Sequence, residues 1–250
     1  MTEKNNDFYF RPNTHDRNIF RGVNELNMYK IPDELGPDDV IVDVGAHIGS
    51  FAYTCLQRGA GKCIVFEANM ANYMITKRNL KKYTEEGKVE LIHGACWRSD
   101  IEGEMPSLPY WVSSDPLNTG GGGVLAHEYD DLDEYSKVPT EETPSYPLDA
   151  VLEKYDNIKI LKLDCEGSEF PILYTSKLLD KVESICGEYH GWENRMKEGF
   201  YPRKDIRVQG EGKDFTIADL MLFLESKGFE VESKEASAEM NLGDFWAKRK

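Results

Sequence analysis

The stretch that most constrains this chain is Val40-Ile41-Val42-Asp43-Val44, which passes straight into Gly45-Ala46-His47-Ile48-Gly49 and then into a short helical pattern. A buried apolar strand that feeds a helix through a glycine turn belongs to a parallel crossover, so the chain is expected to build a sheet with helices on its faces. Gly59-Ala60-Gly61 stops the first helix. The alternation then continues. Residues 63–66 read as a strand ending at Glu67, 70–86 as a helix closed by Gly87, and 89–92 as a third strand running toward Ala95. Later come a helix over 148–155, a strand over 158–164, a helix start at 168–171 and a strand over 182–188. Residues 214–227 form the clearest helix, with Ile217, Leu220, Met221 and Leu224 on one stripe and Gly228 behind. Two antiparallel strands, 229–233 and 244–248, complete an α/β set.

The rhythm breaks over 99–148, where many prolines, the run of four glycines from Gly120 to Gly123 and an acidic stretch over 128–134 occur. Two readings stand open there: an insertion with β-hairpins acting as a lid, or a disordered surface excursion. Residues 1–39 read as an N-terminal cap, set off from a domain over 40–250 by the turn Gly36-Pro37-Asp38-Asp39. Composition narrows the partners. A formal charge of −15 repels phosphate backbones and anionic bilayers, so neither nucleic acid nor membrane is an expected partner. Five scattered cysteines with no C-x-x-C pair suit a reducing compartment. The polar stretch 1–7 has no apolar targeting core, and a cytoplasmic location is the expectation. The sequence leaves the oligomeric state open.

The glycine turn stands where open α/β sheets bind ligands. A dinucleotide turn needs G-x-G-x-x-G, and here Ala46 and His47 occupy the middle glycine's region. Asp43, two positions before the turn, would repel a pyrophosphate but suits a ligand carrying an ammonium and a sulfonium, as S-adenosylmethionine does. Glu67, 24 positions after Asp43, matches the acidic residue that accepts ribose hydroxyls at the next strand end. In the alternative reading both carboxylates merely cap helices or face solvent.

Taken together, Asp43 to Gly49, Phe66-Glu67-Ala68-Asn69, residues 161–169, Glu188-Tyr189-His190 and Asp244-Phe245-Trp246-Ala247-Lys248 resemble the motif series of the FkbM-type methyltransferases. The resemblance covers about residues 38–248. The chain departs from the family's pattern at Ala68, where a proline is usual, and at Cys165, where an aliphatic residue is usual. The resemblance implies a class I methyltransferase (Rossmann-like) fold. This is a three-layer sandwich whose mostly parallel seven-stranded sheet carries an antiparallel C-terminal strand. It implies S-adenosylmethionine as cofactor and O-methylation of a sugar, glycan or natural product. It also implies cofactor contacts from Asp43, Gly45, Ala46, His47, Gly49, Ser50, Glu67, Ala68, Asn69, Ala95, Cys96 and Asp164, with the adenine beside Ala95 and Cys96. Trp97 either stacks on that ring or packs in the core.

Methyl transfer to a hydroxyl needs alignment and a proton acceptor. Asp164 and Glu166, then Glu188 and His190, stand at the ends of the expected central strands. His190 is the first choice of base because imidazole titrates near neutrality, with Asp164 or Glu166 orienting the acceptor hydroxyl or polarising the ring. Alternatively Glu166 caps the following helix and His190 is structural. No metal is required on this reading; if Mg²⁺ is held, its ligands are Asp164, Glu166, Glu188 and His190. Two rival functions are a nicotinamide-dependent oxidoreductase and a non-catalytic protein that binds S-adenosylmethionine.

Overall fold

A computed structural model describes residues 8–113, 115–124, 141–191, 215–238 and 241–250. Its elements are, in chain order, α1 (Asp16–Asn24), β1 (Val40–Val44), α2 (Ser50–Gln57), β2 (Lys62–Glu67), α3 (Met70–Asn79), α4 (Lys81–Glu85), β3 (Val89–His93) and β4 (Ala95–Trp97). There follow β5 (Ser107–Tyr110), β6 (Glu141–Pro147), α5 (Leu148–Leu152), β7 (Ile158–Leu163), α6 (Glu169–Thr175), β8 (Val182–His190), α7 (Ile217–Ser226), β9 (Phe229–Ser237) and β10 (Leu242–Arg249). A seven-stranded sheet runs β3-β2-β1-β7-β8-β10-β9, with β10 antiparallel to both of its neighbours. The expected mostly parallel sheet with an antiparallel C-terminal strand is the one observed.

Strand alternation sorts the side chains into two cores. Ile41, Cys63, Val65 and Ile160 face Phe51 and Cys55 of α2. Val42, Val44, Ile64, Phe66, Leu161 and Leu163 face the other way, toward α5, α6 and α7. Helices therefore cover both faces, giving three layers. Each fully buried Leu, Ile or Phe contributes roughly 1.5–3 kcal/mol, so these stripes hold the sheet in register.

Three expectations need adjusting. The helix over 70–86 divides at Leu80, whose backbone (φ −97°, ψ 7°) leaves the helical region while its side chain is wholly buried. The helix over 214–227 begins at Ile217, because Thr216 caps it by accepting a 3.1 Å hydrogen bond from the Asp219 amide; Asp214 lies outside the described residues. The break over 99–148 contains β5 and β6, which pair antiparallel, and β6 also pairs parallel with β4 to make a small second sheet. The acidic stretch 128–134 lies outside the described residues. Among them, no helix is long and apolar enough to cross a membrane. All five cysteines are free thiols.

Candidate active site

A cleft of about 590 Å³ opens at the C-terminal ends of β1, β2, β7 and β8. Asn18 and Tyr29 from the cap line it, as do Tyr110 and Asn118 from the insertion. Of the expected cofactor residues, Gly45, His47, Glu67, Ala68, Ala95, Cys96 and Asp164 reach it. Asp43, Ala46, Gly49, Ser50 and Asn69 are not among its lining residues. Ala46 and Ser50 are buried. Gly49 caps α2 in a left-handed conformation (φ 86°), and Asn69 caps α3 by accepting from the Asn72 amide at 2.9 Å.

Asp43 requires a correction. Alternation along β1 turns it toward α2, where it is wholly buried. There it accepts from the Ala52 amide at 3.3 Å and pairs with Lys162 Nζ at 3.3 Å. It thus occupies an amide at the start of α2 and does not line the cleft. Lys162 is buried and also donates to the carbonyls of Gly45 (2.6 Å) and Val44 (3.2 Å), tying the glycine turn to β7. Gly45 has to be glycine: its φ is 76°, and a Cβ there would lie 1.9 Å from the Asp164 carbonyl oxygen.

Glu67 is 5% exposed and lines the cleft beside that turn. One carboxylate oxygen accepts from the His47 amide at 2.7 Å and the other from the Asn69 amide at 2.9 Å. Burial lifts its pKa to about 7, against those two amides, which favour its charge. His47, with φ 56°, turns its ring toward the cap: Nε2 lies 2.9 Å from Arg11, 2.8 Å from Thr119 and 3.3 Å from Asp16. Burial lowers the pKa of this ring. Arg11 also donates to Asn72 at 2.7 Å, a cleft residue that sequence reasoning missed. Arg11 and Asp16 come from one segment, Asn72 and Thr119 from two others, and no local pattern announces their meeting.

Further along, Gly94, Ala95 and Cys96 line the cleft with little bulk. Trp97 is 3% exposed and packs in the core, which decides between its two readings.

Asp164, Glu166, Glu188 and His190 come together where β7 and β8 end. Glu188 and His190 share a face because β8 stays extended to its last residue, whereas Glu166 reaches the cleft through a left-handed turn (φ 57°). His190 Nε2 lies 3.5 Å from Glu166 and 3.8 Å from Glu188, and Nδ1 lies 3.3 Å from Glu169. Burial alone would lower the pKa of this imidazole, but Glu166, Glu169 and Glu188 outweigh it and raise it to about 10. The three carboxylates thus favour the imidazolium form of the residue expected to act as base. Burial, reinforced by Asp164 and Glu166, lifts Glu188 to about 8, with His190 working against the shift. Glu169 is another residue missed from sequence, where Ser168-Glu169 reads only as a helix start; it is wholly buried.

The cap reaches this end through Tyr29, whose hydroxyl donates to Asp164 at 2.7 Å. Tyr29→Phe is expected to cost about 1 kcal/mol, the usual net worth of one hydrogen bond, since Asp164 is partly exposed and recovers a water partner. Urea titration of the two proteins checks this, and a loss above about 3 kcal/mol would give Tyr29 a larger structural role than one hydrogen bond.

The model of the family described as methyltransferase FkbM domain matches residues 43–231. Among solved structures, methyltransferase FkbM from Methylobacillus flagellatus KT is similar at 12% identity and a TM-score of 0.50, over 86% of this chain and 44% of that one. The chain thus spans less than half the length of that relative. A precorrin-6y C5,15-methyltransferase from Geobacter metallireducens GS-15 is similar at 12% identity and a TM-score of 0.46, over 99% and 96% of the two chains. TrmK of M. capricolum, solved in complex with S-adenosyl-homocysteine, is similar at 11% identity and a TM-score of 0.46, over 90% and 66%. No curated protein matches the chain. With the family match spanning most of the chain and the sheet order of a class I methyltransferase, the chain belongs to the family of FkbM methyltransferase domains.

Proposed function

We propose that the chain is an S-adenosylmethionine-dependent O-methyltransferase acting on a hydroxyl of a sugar, glycan or natural product, in the cytoplasm. The observation that carries this reading is Glu67, a buried carboxylate at the end of β2, held by two amides beside the glycine turn and facing a cleft with small residues beyond it. The cleft volume falls in the range of small-molecule sites. Glu67 would hold the ribose hydroxyls, the Gly45 turn would receive the methionine portion, and Ala95 and Cys96 would leave room for the adenine. Bound there, the cofactor supplies an electrophilic methyl group for in-line transfer.

The chain's own residues do the rest. Asp164 and Glu166 orient the acceptor hydroxyl by accepting hydrogen bonds from its neighbouring hydroxyls. Glu188 takes its proton, its raised pKa matching the task near neutral pH. His190, lying between them, holds Glu166 and Glu188 in place. The cap and the insertion shape the acceptor end. Among the described residues no Lys or Arg lines the cleft. That fact and the chain's charge of −15 argue against a nucleic-acid acceptor.

Isothermal titration with S-adenosylhomocysteine tests the reading. Wild type is expected to bind, and Glu67→Ala to bind about 100-fold more weakly through loss of two charge-assisted hydrogen bonds. Ribose hydroxyls favour the ionised carboxylate, so affinity should fall as pH drops below about 7 and stay level above it. Equal heats from both proteins, or none from wild type, remove the proposal.

A further inference from the structure

We propose that Asp164, Glu169 and His190 form a site for one divalent cation of mixed nitrogen and oxygen preference. Each residue offers a donor atom, and these atoms lie within 4.8 Å of one another. Ligand atoms on a shared ion with bonds near 2.1 Å sit roughly 3–4 Å apart, so small side-chain rotations close the set. Glu169 and His190 are buried and come from α6 and β8, so the scaffold holds two of the three donors rigidly.

A second observation points to a ligand. Glu169 Oε1 accepts from the Cys165 amide at 2.7 Å and faces His190, but Glu169 Oε2 is buried with no hydrogen-bond partner. A carboxylate oxygen left bare in a protein interior is costly, and a bound cation would satisfy it. The surroundings agree. Three carboxylates stand within 4 Å of the one imidazole, and Asp164 is close by. Lys162, which approaches Asp164 to 3.9 Å, is nearer to Asp43 at 3.3 Å. Ligation by His190 uses a ring nitrogen's lone pair, so the ion binds the neutral imidazole. One nitrogen with two carboxylates suits Mn²⁺, Fe²⁺ or Zn²⁺ better than an all-oxygen ion such as Ca²⁺. An ion there would lower the pKa of an acceptor hydroxyl; that consequence rests on the proposed methyl transfer, whereas binding does not.

The test is Mn²⁺ titration of the full chain followed by electron paramagnetic resonance, with S-adenosylhomocysteine binding measured on the same preparations. One Mn²⁺ per chain is expected, with affinity falling at least tenfold in Glu169→Gln and in Asp164→Asn. The second variant changes a partly exposed residue and keeps the result readable if the buried one fails to fold. No Mn²⁺ binding by wild type, or equal binding by Asp164→Asn and wild type, overturns the site. If the nucleoside binds and Mn²⁺ does not, only the cation proposal fails. If Mn²⁺ binds and the nucleoside does not, only the proposed function fails.

Discussion

Lys162→Met is expected to destabilise the fold by roughly 3–5 kcal/mol, the cost of leaving a buried charge without its partner. Asp43 is wholly buried, and Lys162 is the cation beside it, with only 4% of its own side chain exposed. Burial opposes the lysine's charge, but Asp43 and Asp164 outweigh that and raise its pKa. Burial likewise pushes the Asp43 carboxyl up, against the pull of Lys162, so each charge depends on the other. Methionine fills the same volume, so the loss is electrostatic rather than a cavity, and it also strips a donor from the carbonyls of Val44 and Gly45. Pairing it with Asp43→Val should recover part of the loss, because two apolar residues replace two buried ions at little net cost. Urea unfolding of the single and double variants measures both numbers. A single variant within 1 kcal/mol of wild type would mean that water reaches Asp43 after all.

Glu188→Gln should lower kcat by about 10²–10⁴ with little change in nucleoside affinity, the usual effect of removing a general base. The substitution keeps shape and hydrogen bonding but cannot take a proton. Glu188 lines the cleft 3.8 Å from His190, and among the described residues it makes no hydrogen bond to Glu67 or the Gly45 turn. S-adenosylhomocysteine formed from S-adenosylmethionine in the presence of a panel of monosaccharides and other alcohols gives the rate, and titration gives the affinity. A variant that turns over within threefold of wild type would pass the base role to Asp164 or Glu166.

The glycine turn shows how far local pattern carries. A strand, a φ-positive glycine and a helix are decided within ten residues, by sterics and by period-two burial. The placement of Glu67 at the next strand end follows from the same periodicity. Asp43 shows where that reasoning stops. Its position beside the turn was readable, but its function depends on which sheet face the alternation presents to α2 and on a lysine 119 positions later. Lys162 carried a faint signal: it sits two residues from Ile160, on the strand face that packs against α2. Glu169 carried none beyond a helix start, since its value comes from meeting His190 of another strand.

From the chain alone came the α/β layering, the strand sequence that ends antiparallel, the glycine crossover and the cluster of acids at strand ends. All of these depend on short-range steric rules and the period of apolar residues. Charge states and pairings waited for the folded molecule. Whether His190 carries one proton or two, which way Asp43 faces, and how Tyr29 reaches Asp164 are set by groups brought within a few ångströms from distant segments. Coulomb interactions and desolvation depend on that spatial distance, which sequence separation does not encode.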